Sequence, residues 1–179
     1  MSTLLTNQIQ NLTGQKILGS TGSILQVQST ILTTTFTTNT IITTSGGGSA
    51  VSGLSASITP SAATNKILIM CSLNIQGQAN ATQSYAYLAR GTTPIGIGTG
   101  ASSRPGMGGR YYWNDSNVSG MIWMQFLDSP NTTNITTYNV YVGTENASYT
   151  VYVNRTQSDS DALNGARTSS VITLMEVAA

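Results

Sequence analysis

Between residues 66 and 76 every second residue is apolar: Ile67, Ile69, Cys71, Leu73 and Ile75. An alternation of period two puts these side chains on one face of a pleated strand, whereas a helix would scatter them around its axis. The opposite face carries Leu68 and Met70, then Ser72, Asn74 and Gln76. The segment reads as a half-buried strand and predicts a β fold.

Other stretches repeat the signal. Residues 23–28 read as a strand, with the Thr-rich run to Phe36 as its continuation or as a second one. Threonine is β-branched and packs well on a pleated surface. Residues 40–44 form a further short strand, residues 45–49 a glycine-rich flexible loop, and residues 54–59 a strand stopped by Pro60. Residues 85–90 and 93–97 read as a hairpin across Gly91-Thr92. Residues 121–127 are a strand, residues 138–142 and 149–154 are expected to pair with each other, residues 157–167 form a polar loop, and residues 169–177 are the last strand. About nine or ten short strands with turn signals between them predict an antiparallel, jelly-roll-like β-sandwich. Residues 22–179 form this domain, and residues 1–21 precede it as an arm.

Charge is scarce. Charged residues make up 7% of the 179, with a net charge of +1, against about 25% charged in ordinary domains. No basic cluster offers a phosphate backbone a foothold, so nucleic acid is not an expected partner. No histidine occurs, which removes the commonest general base and the commonest metal ligand. Cys71 is the sole cysteine, so no disulfide forms within the chain, and it reads as a small buried hydrophobe. The opening residues have neither the basic nor the apolar region of a signal peptide, and no stretch is long and apolar enough to insert into a membrane.

Candidate chemistry is thin. Gly96-Ile97-Gly98-Thr99-Gly100-Ala101 matches a dinucleotide fingerprint by spacing, but Arg104-Pro105-Gly106 follows where a helix must open. Asp159 and Asp161 share a polar loop, where Asn154, Asn164 and backbone carbonyls could add to the six to eight oxygens a hard cation wants, but nothing in the sequence fixes them, and the segment reads as a solvated turn. Serines lack a base, and no pair of carboxylates is positioned for glycoside hydrolysis. The expectation is a protein that is not an enzyme and takes no cofactor.

Two segments remain as candidates for binding. Residues 98–120 lack periodicity and read as one long loop, the kind that is usually functional or disordered. Within it Arg110, Tyr111, Tyr112, Trp113, Asn114 and Asp115 combine aromatic faces with polar groups. That combination suits a glycan on a cell surface; packing of the aromatics on the sheet or on a subunit is the competing reading. In the arm, Leu4, Leu5, Ile9, Leu12, Ile17 and Leu18 are aliphatics that cannot form a core alone, and Leu5, Ile9 and Leu12 have helical spacing. They are the candidate docking residues for a larger particle. Apolar residues on both faces of the strands near Tyr138–Val142 and Val171–Val177 exceed what a two-layer sandwich buries, which predicts association with copies of itself.

Several segments resemble tail-fibre-like proteins of marine and freshwater phages, especially cyanophages. They are Ser2-Thr3-Leu4 with Ile9-Gln10-Asn11 and Thr13-Gly14; Gly22-Ser23-Ile24-Leu25-Gln26-Val27; and Ile58-Thr59-Pro60-Ser61 with Asn65-Lys66-Ile67-Leu68-Ile69-Met70. Leu88-Ala89-Arg90-Gly91-Thr92, Phe126-Leu127-Asp128-Ser129-Pro130-Asn131-Thr132-Thr133 with Tyr138, and Val171-Ile172-Thr173-Leu174-Met175-Glu176-Val177 complete the set. The resemblance implies a compact sandwich that trimerises as a fibre tip or knob on the virion surface, assembled in the host cytoplasm, with no catalytic residues. It departs from such fibres in its short arm, which suits a capsid decoration protein anchored by residues 1–21 equally well.

Overall fold

A computed structural model describes residues 20–44, 46–80 and 82–179. In chain order the strands are β1 (Ile24–Leu32), β2 (Phe36–Thr38), β3 (Ile42–Thr43), β4 (Gly46–Gly47), β5 (Ser49–Ile58), β6 (Lys66–Gly77) and β7 (Thr82–Arg90). They continue with β8 (Thr93–Ile95), β9 (Gly109–Trp113), β10 (Gly120–Asp128), β11 (Thr136–Thr144), β12 (Val151–Val153) and β13 (Ser170–Val177). A single 3-10 turn at Leu163–Gly165 is the only helical element among the described residues.

The long strands pair as nested brackets. β1 pairs with β13, β5 with β11, β6 with β10, and β7 with both β8 and β9, always antiparallel. Two further ladders, β13 to β6 and β11 to β7, join these pairs into two sheets. The first sheet runs β1–β13–β6–β10, prolonged by β2 and β12 beside the end of β6; the second runs β5–β11–β7 and closes with β8 and β9. Nested pairs divided between two facing sheets make this a jelly-roll β-sandwich.

The core lies where the inner faces meet. Ile67, Ile69, Cys71, Leu73 and Ile75 of β6 are all fully or almost fully buried, as their alternation requires. Leu54 and Ile58 of β5, Leu88 of β7, and Tyr138, Val140 and Val142 of β11 face them from the second sheet. Burial pushes the Cys71 thiol up to about 12, so it stays protonated at neutral pH and packs as a hydrophobe.

Three local expectations are corrected. Residues 138–142 and 149–154 do not form a hairpin. Both edges of β11 are taken by β5 and β7, so the chain crosses to the other sheet, where β12 pairs with β2 and β6. Residues 98–120 are not one loop, because β9 lies inside them and pairs with β7. The residues after Ser45 do not form an open loop: β4 folds back on β3 over the second sheet. That ribbon lies so close that a Cβ at Gly48, where φ is +74°, would meet the Val142 carbonyl oxygen at 2.5 Å.

The sandwich has two distinct ends. The starts of β1, β6 and β11 and the ends of β7, β10 and β13 lie together, and Ser20, the first described residue, sits there against Ser23. We call this the arm end. At the other end, roughly 35 Å away along β6, lie the connections 78–80, 114–119 and 154–169. This is the loop end. Leu4, Leu5, Ile9, Leu12, Ile17 and Leu18 lie outside the described residues.

Candidate functional site

The β9 register decides what its aromatic run can touch. Arg110 lies opposite Tyr85, Tyr111 opposite Ser84, Tyr112 opposite Gln83 and Trp113 opposite Thr82. Alternation then sends Arg110 and Tyr112 to the outer face of the second sheet and Tyr111 and Trp113 to the inner side. Of the six residues of the predicted contact only Trp113 is buried, and the exposed Tyr111 faces away from Arg110 and Tyr112.

Trp113 belongs to the core. It is 2% exposed, its indole N–H donates to Ser84 Oγ at 3.1 Å, and its ring stacks on Tyr111 with centroids 4.3 Å apart. Gly77 and Gly120 give this pair its room. A Cβ at Gly120 would come within 2.9 Å of the Tyr111 ring and 3.0 Å of Trp113.

Asn114 and Asp115 are exposed and follow β9 at the loop end. The Asp115 carboxylate accepts from the Asn117 amide at 2.7 Å, a turn that shapes the connection. Beneath it, the fully buried Gln76 donates to the Asp115 carbonyl at 2.7 Å and accepts from the Gln157 amide at 2.7 Å. Ser158 adds a bond to Asn117 at 2.7 Å. One glutamine thus ties the 114–119 connection to the 154–169 connection.

Arg110 and Tyr112 remain on the surface. The Arg110 guanidinium donates to Gln83 Oε1 at 2.5 Å, and Gln83 Nε2 donates to Glu145 at 3.1 Å. Tyr112 is 57% exposed directly across from Gln83. A cleft of about 240 Å³ opens beside this row, lined by Tyr85, Thr99, Pro105, Met107 and Arg110. Burial raises the Tyr85 hydroxyl pKa, with Glu145 adding to the rise and Arg110 opposing it, so the phenol remains a donor at neutral pH. Aromatic faces beside planar polar groups are what a sugar ring needs, namely an apolar face to cover and hydroxyls to bond. Tyr85, Gln83 and Glu145 gave no signal in the sequence, because only the β7–β9 register brings them beside Arg110.

The other candidates resolve simply. Both carboxylate oxygens of Asp159 are taken: Arg167 grips them at 3.1 and 2.9 Å, and Arg155 reaches one at 2.9 Å. The Arg167 fork above all, helped by Arg155, holds this carboxyl below its ordinary range. Asp161 is exposed nearby, and no three potential metal ligands gather among the described residues. Residues 96–101 lead into a short bridge between Ala101 and Arg104 rather than a helix. No helix among the described residues is long and apolar enough to cross a membrane.

No protein-family model and no curated protein matches this sequence. Among solved structures the chain is similar to one described as the structure of infectious bursal disease virus Gt strain. The identity is 12% and the TM-score 0.39, covering 87% of this chain and 39% of that one. It is also similar to the VP2 subviral particle of the same virus, with 13% identity and a TM-score of 0.34, covering 86% of this chain and 38% of that one. The chain thus spans well under half the length of these neighbours. The jelly-roll assignment rests on the strand pairing alone.

Proposed function

We propose that this chain is a non-enzymatic structural protein on the surface of a bacteriophage particle, a trimeric knob on a tail fibre or fibre tip. The polarity of the sandwich carries the reading: the chain enters at one end, and tied connections occupy the opposite end. Residues 1–21 would dock the knob on other virion proteins, leaving the loop end and the outer face of β9 directed away from the particle. Jelly rolls serve viral capsids and lectin-like domains alike, so the fold suits a virion surface and a sugar contact. The resemblance to phage fibre proteins in the sequence supplies the phage.

On this reading Arg110, Tyr112 and Gln83 form the contact with a host-surface glycan, and Trp113 supports them from the core. Imaging intact particles with this protein labelled tests the location. Label at fibre tips is the expected result, label over the capsid shell would favour a decoration protein held by residues 1–21, and unlabelled particles would overturn both.

A further inference from the structure

The two sheets differ in what covers their outer faces. Over the second sheet the chain supplies its own cover. Ile42 packs on Tyr87 and Ala89, Tyr87 stacks on Tyr141 with centroids 5.1 Å apart, and the Tyr87 hydroxyl donates to the Gly47 carbonyl at 2.6 Å. Over the first sheet none of the described residues plays this part, although that face is the more apolar. Across β1, β13, β6 and β10 the register aligns Val27, Met175, Leu68 and Leu127 in one row. Four residues further along the strands it aligns Ile31, Val171, Ser72 and Trp123. Trp123 is 69% exposed in this face, Ile31 60% and Val27 51%.

We infer that this outer face of the first sheet is an interface, and that its occupant is a second copy of the same chain. Three observations choose that partner. First, the rows carry no charged side chain; Lys66 stands only at their border, beside Val177. A partner of different sequence selected by charge has nothing here to read, whereas an apolar face is complementary to itself. Second, the polar row between the two is partly satisfied within the sheet. Ser29 Oγ and Thr173 Oγ1 share a hydrogen bond of 3.0 Å, and Ser29 also reaches the Ile172 carbonyl. Burying those hydroxyls strands no donor. Third, the area suffices. Strands about 4.8 Å apart with outward residues about 6.8 Å apart allot about 33 Å² to each position. The three rows with their borders at Val177, Lys66, Asn74 and Met121 outline roughly 500 Å² per copy, so two faces bury about 1,000 Å², the scale at which a specific interface begins.

This inference deepens the oligomer within the proposed assembly and rests on that part of it; the position on the particle is tested separately by imaging. The experiment is sedimentation of the full chain over a concentration series, with acrylamide quenching of the fluorescence lost in Trp123→Phe, which isolates Trp123. The expected result is a dimer or trimer at micromolar concentration, with Trp123 shielded at high concentration and accessible on dilution. Trp123→Glu should weaken self-association roughly thirtyfold or more, the scale of a lost aromatic anchor. Ile31→Lys, on the far strand of the same face, should weaken it in the same direction. A wild-type monomer would overturn the inference, as would an oligomer that survives Ile31→Lys with Trp123 still open to quencher. Shielding of Trp123 in a monomer, relieved by removing residues 2–19, would overturn it in favour of the arm as occupant.

Discussion

At the arm end two buried carboxylates gather the surrounding chain. The fully buried Glu176 accepts from Gln26 at 2.6 Å, from Asn65 at 2.6 Å, and from the amide and hydroxyl of Ser61 at 2.7 Å each. Asp128 accepts from Tyr138 at 2.7 Å and from Arg90 at 3.0 Å, which joins β10 of one sheet to β7 and β11 of the other. At the loop end neutral amides do the equivalent work. Besides Gln76, the fully buried Asn154 donates to the carbonyls of Leu32 and Thr34 at 2.9 Å each and accepts from Ser170 at 2.7 Å. A chain with so few charges buries two of its six carboxylates at the arm end, whereas the loop end buries amides in their place and its carboxylates Asp115, Asp159 and Asp161 stay nearer the surface. Buried Glu176 should therefore make the packing of the arm end respond to pH, and the core of the loop end should respond to the loss of shape.

The largest expected effect breaks the loop end. Trp113→Ala removes a buried indole beside two glycines that leave no side chain to fill the gap. Losses for buried aromatics run to about 4 kcal/mol. Chemical denaturation should show that loss with little dependence on pH. A loss under about 1 kcal/mol would place Trp113 outside the core and return it to the surface contact.

Glu176→Ala breaks the arm end instead. It leaves the donors of Gln26, Asn65 and Ser61 facing a space without an acceptor, for an expected loss of about 3 kcal/mol. The pH dependence is sharper evidence than the size. Burial pushes the Glu176 carboxyl up, but the bonds from Gln26, Asn65 and Ser61 outweigh it and hold the pKa below its ordinary value. The native state thus binds this proton less readily than the unfolded chain does. The resulting stability is present above the unfolded value of about 4.3 and is lost as pH falls through the native value. Melting curves of wild type and Glu176→Gln should converge as the solution is acidified. Asp159 titrates with the same sign in both proteins, so the difference isolates Glu176. Parallel curves would show that the carboxylate is not ionised in the native state.

How much of this was legible in the sequence follows from the range of each interaction. Strand β6 was plain because its burial repeats every second residue, a local signal that survives any topology. The pairing of β1 with β13 was not, because no turn joins strands some 150 positions apart; their register is set by tertiary packing. The same distance hid Glu176, whose partners Gln26, Ser61 and Asn65 come from two remote segments. It also hid the row formed by Glu145, Gln83 and Arg110. The aromatic run 111–113 was visible as composition, but both faces of β9 carry aromatics, so it showed no alternation and read as loop. The apolar surplus of residues 171–177 was visible. Which sheet would expose it depended on β3 and β4, whose closeness to β11 follows from glycines that read as flexibility.

The smallest expected effect on stability tests the comparison at its finest point, two neighbours on one strand. Tyr112 and Trp113 differ by one position, yet the pleat leaves the first 57% exposed and the second 2% exposed. Tyr112→Ala removes no buried contact, so its stability should stay within about 0.5 kcal/mol of wild type. If the outer face of β9 binds a glycan, the same change removes the aromatic face that covers a sugar ring while Arg110, Gln83 and Glu145 keep their bonds. Adsorption of particles carrying Tyr112→Ala to host cells should then fall roughly tenfold or more, as expected for losing one stacking contact of about 1.4 kcal/mol. Arg110→Ala should reduce it further, because the guanidinium also lines the adjoining cleft. Trp113→Phe supplies the control: it keeps an aromatic ring in the core while deleting the bond to Ser84, so it should cost stability and spare adsorption. If Tyr112→Ala left adsorption intact while Trp113→Phe abolished it, binding would depend on the shape of the loop end, and the contact would lie among residues 114–119 and 154–169, which Gln76 holds together.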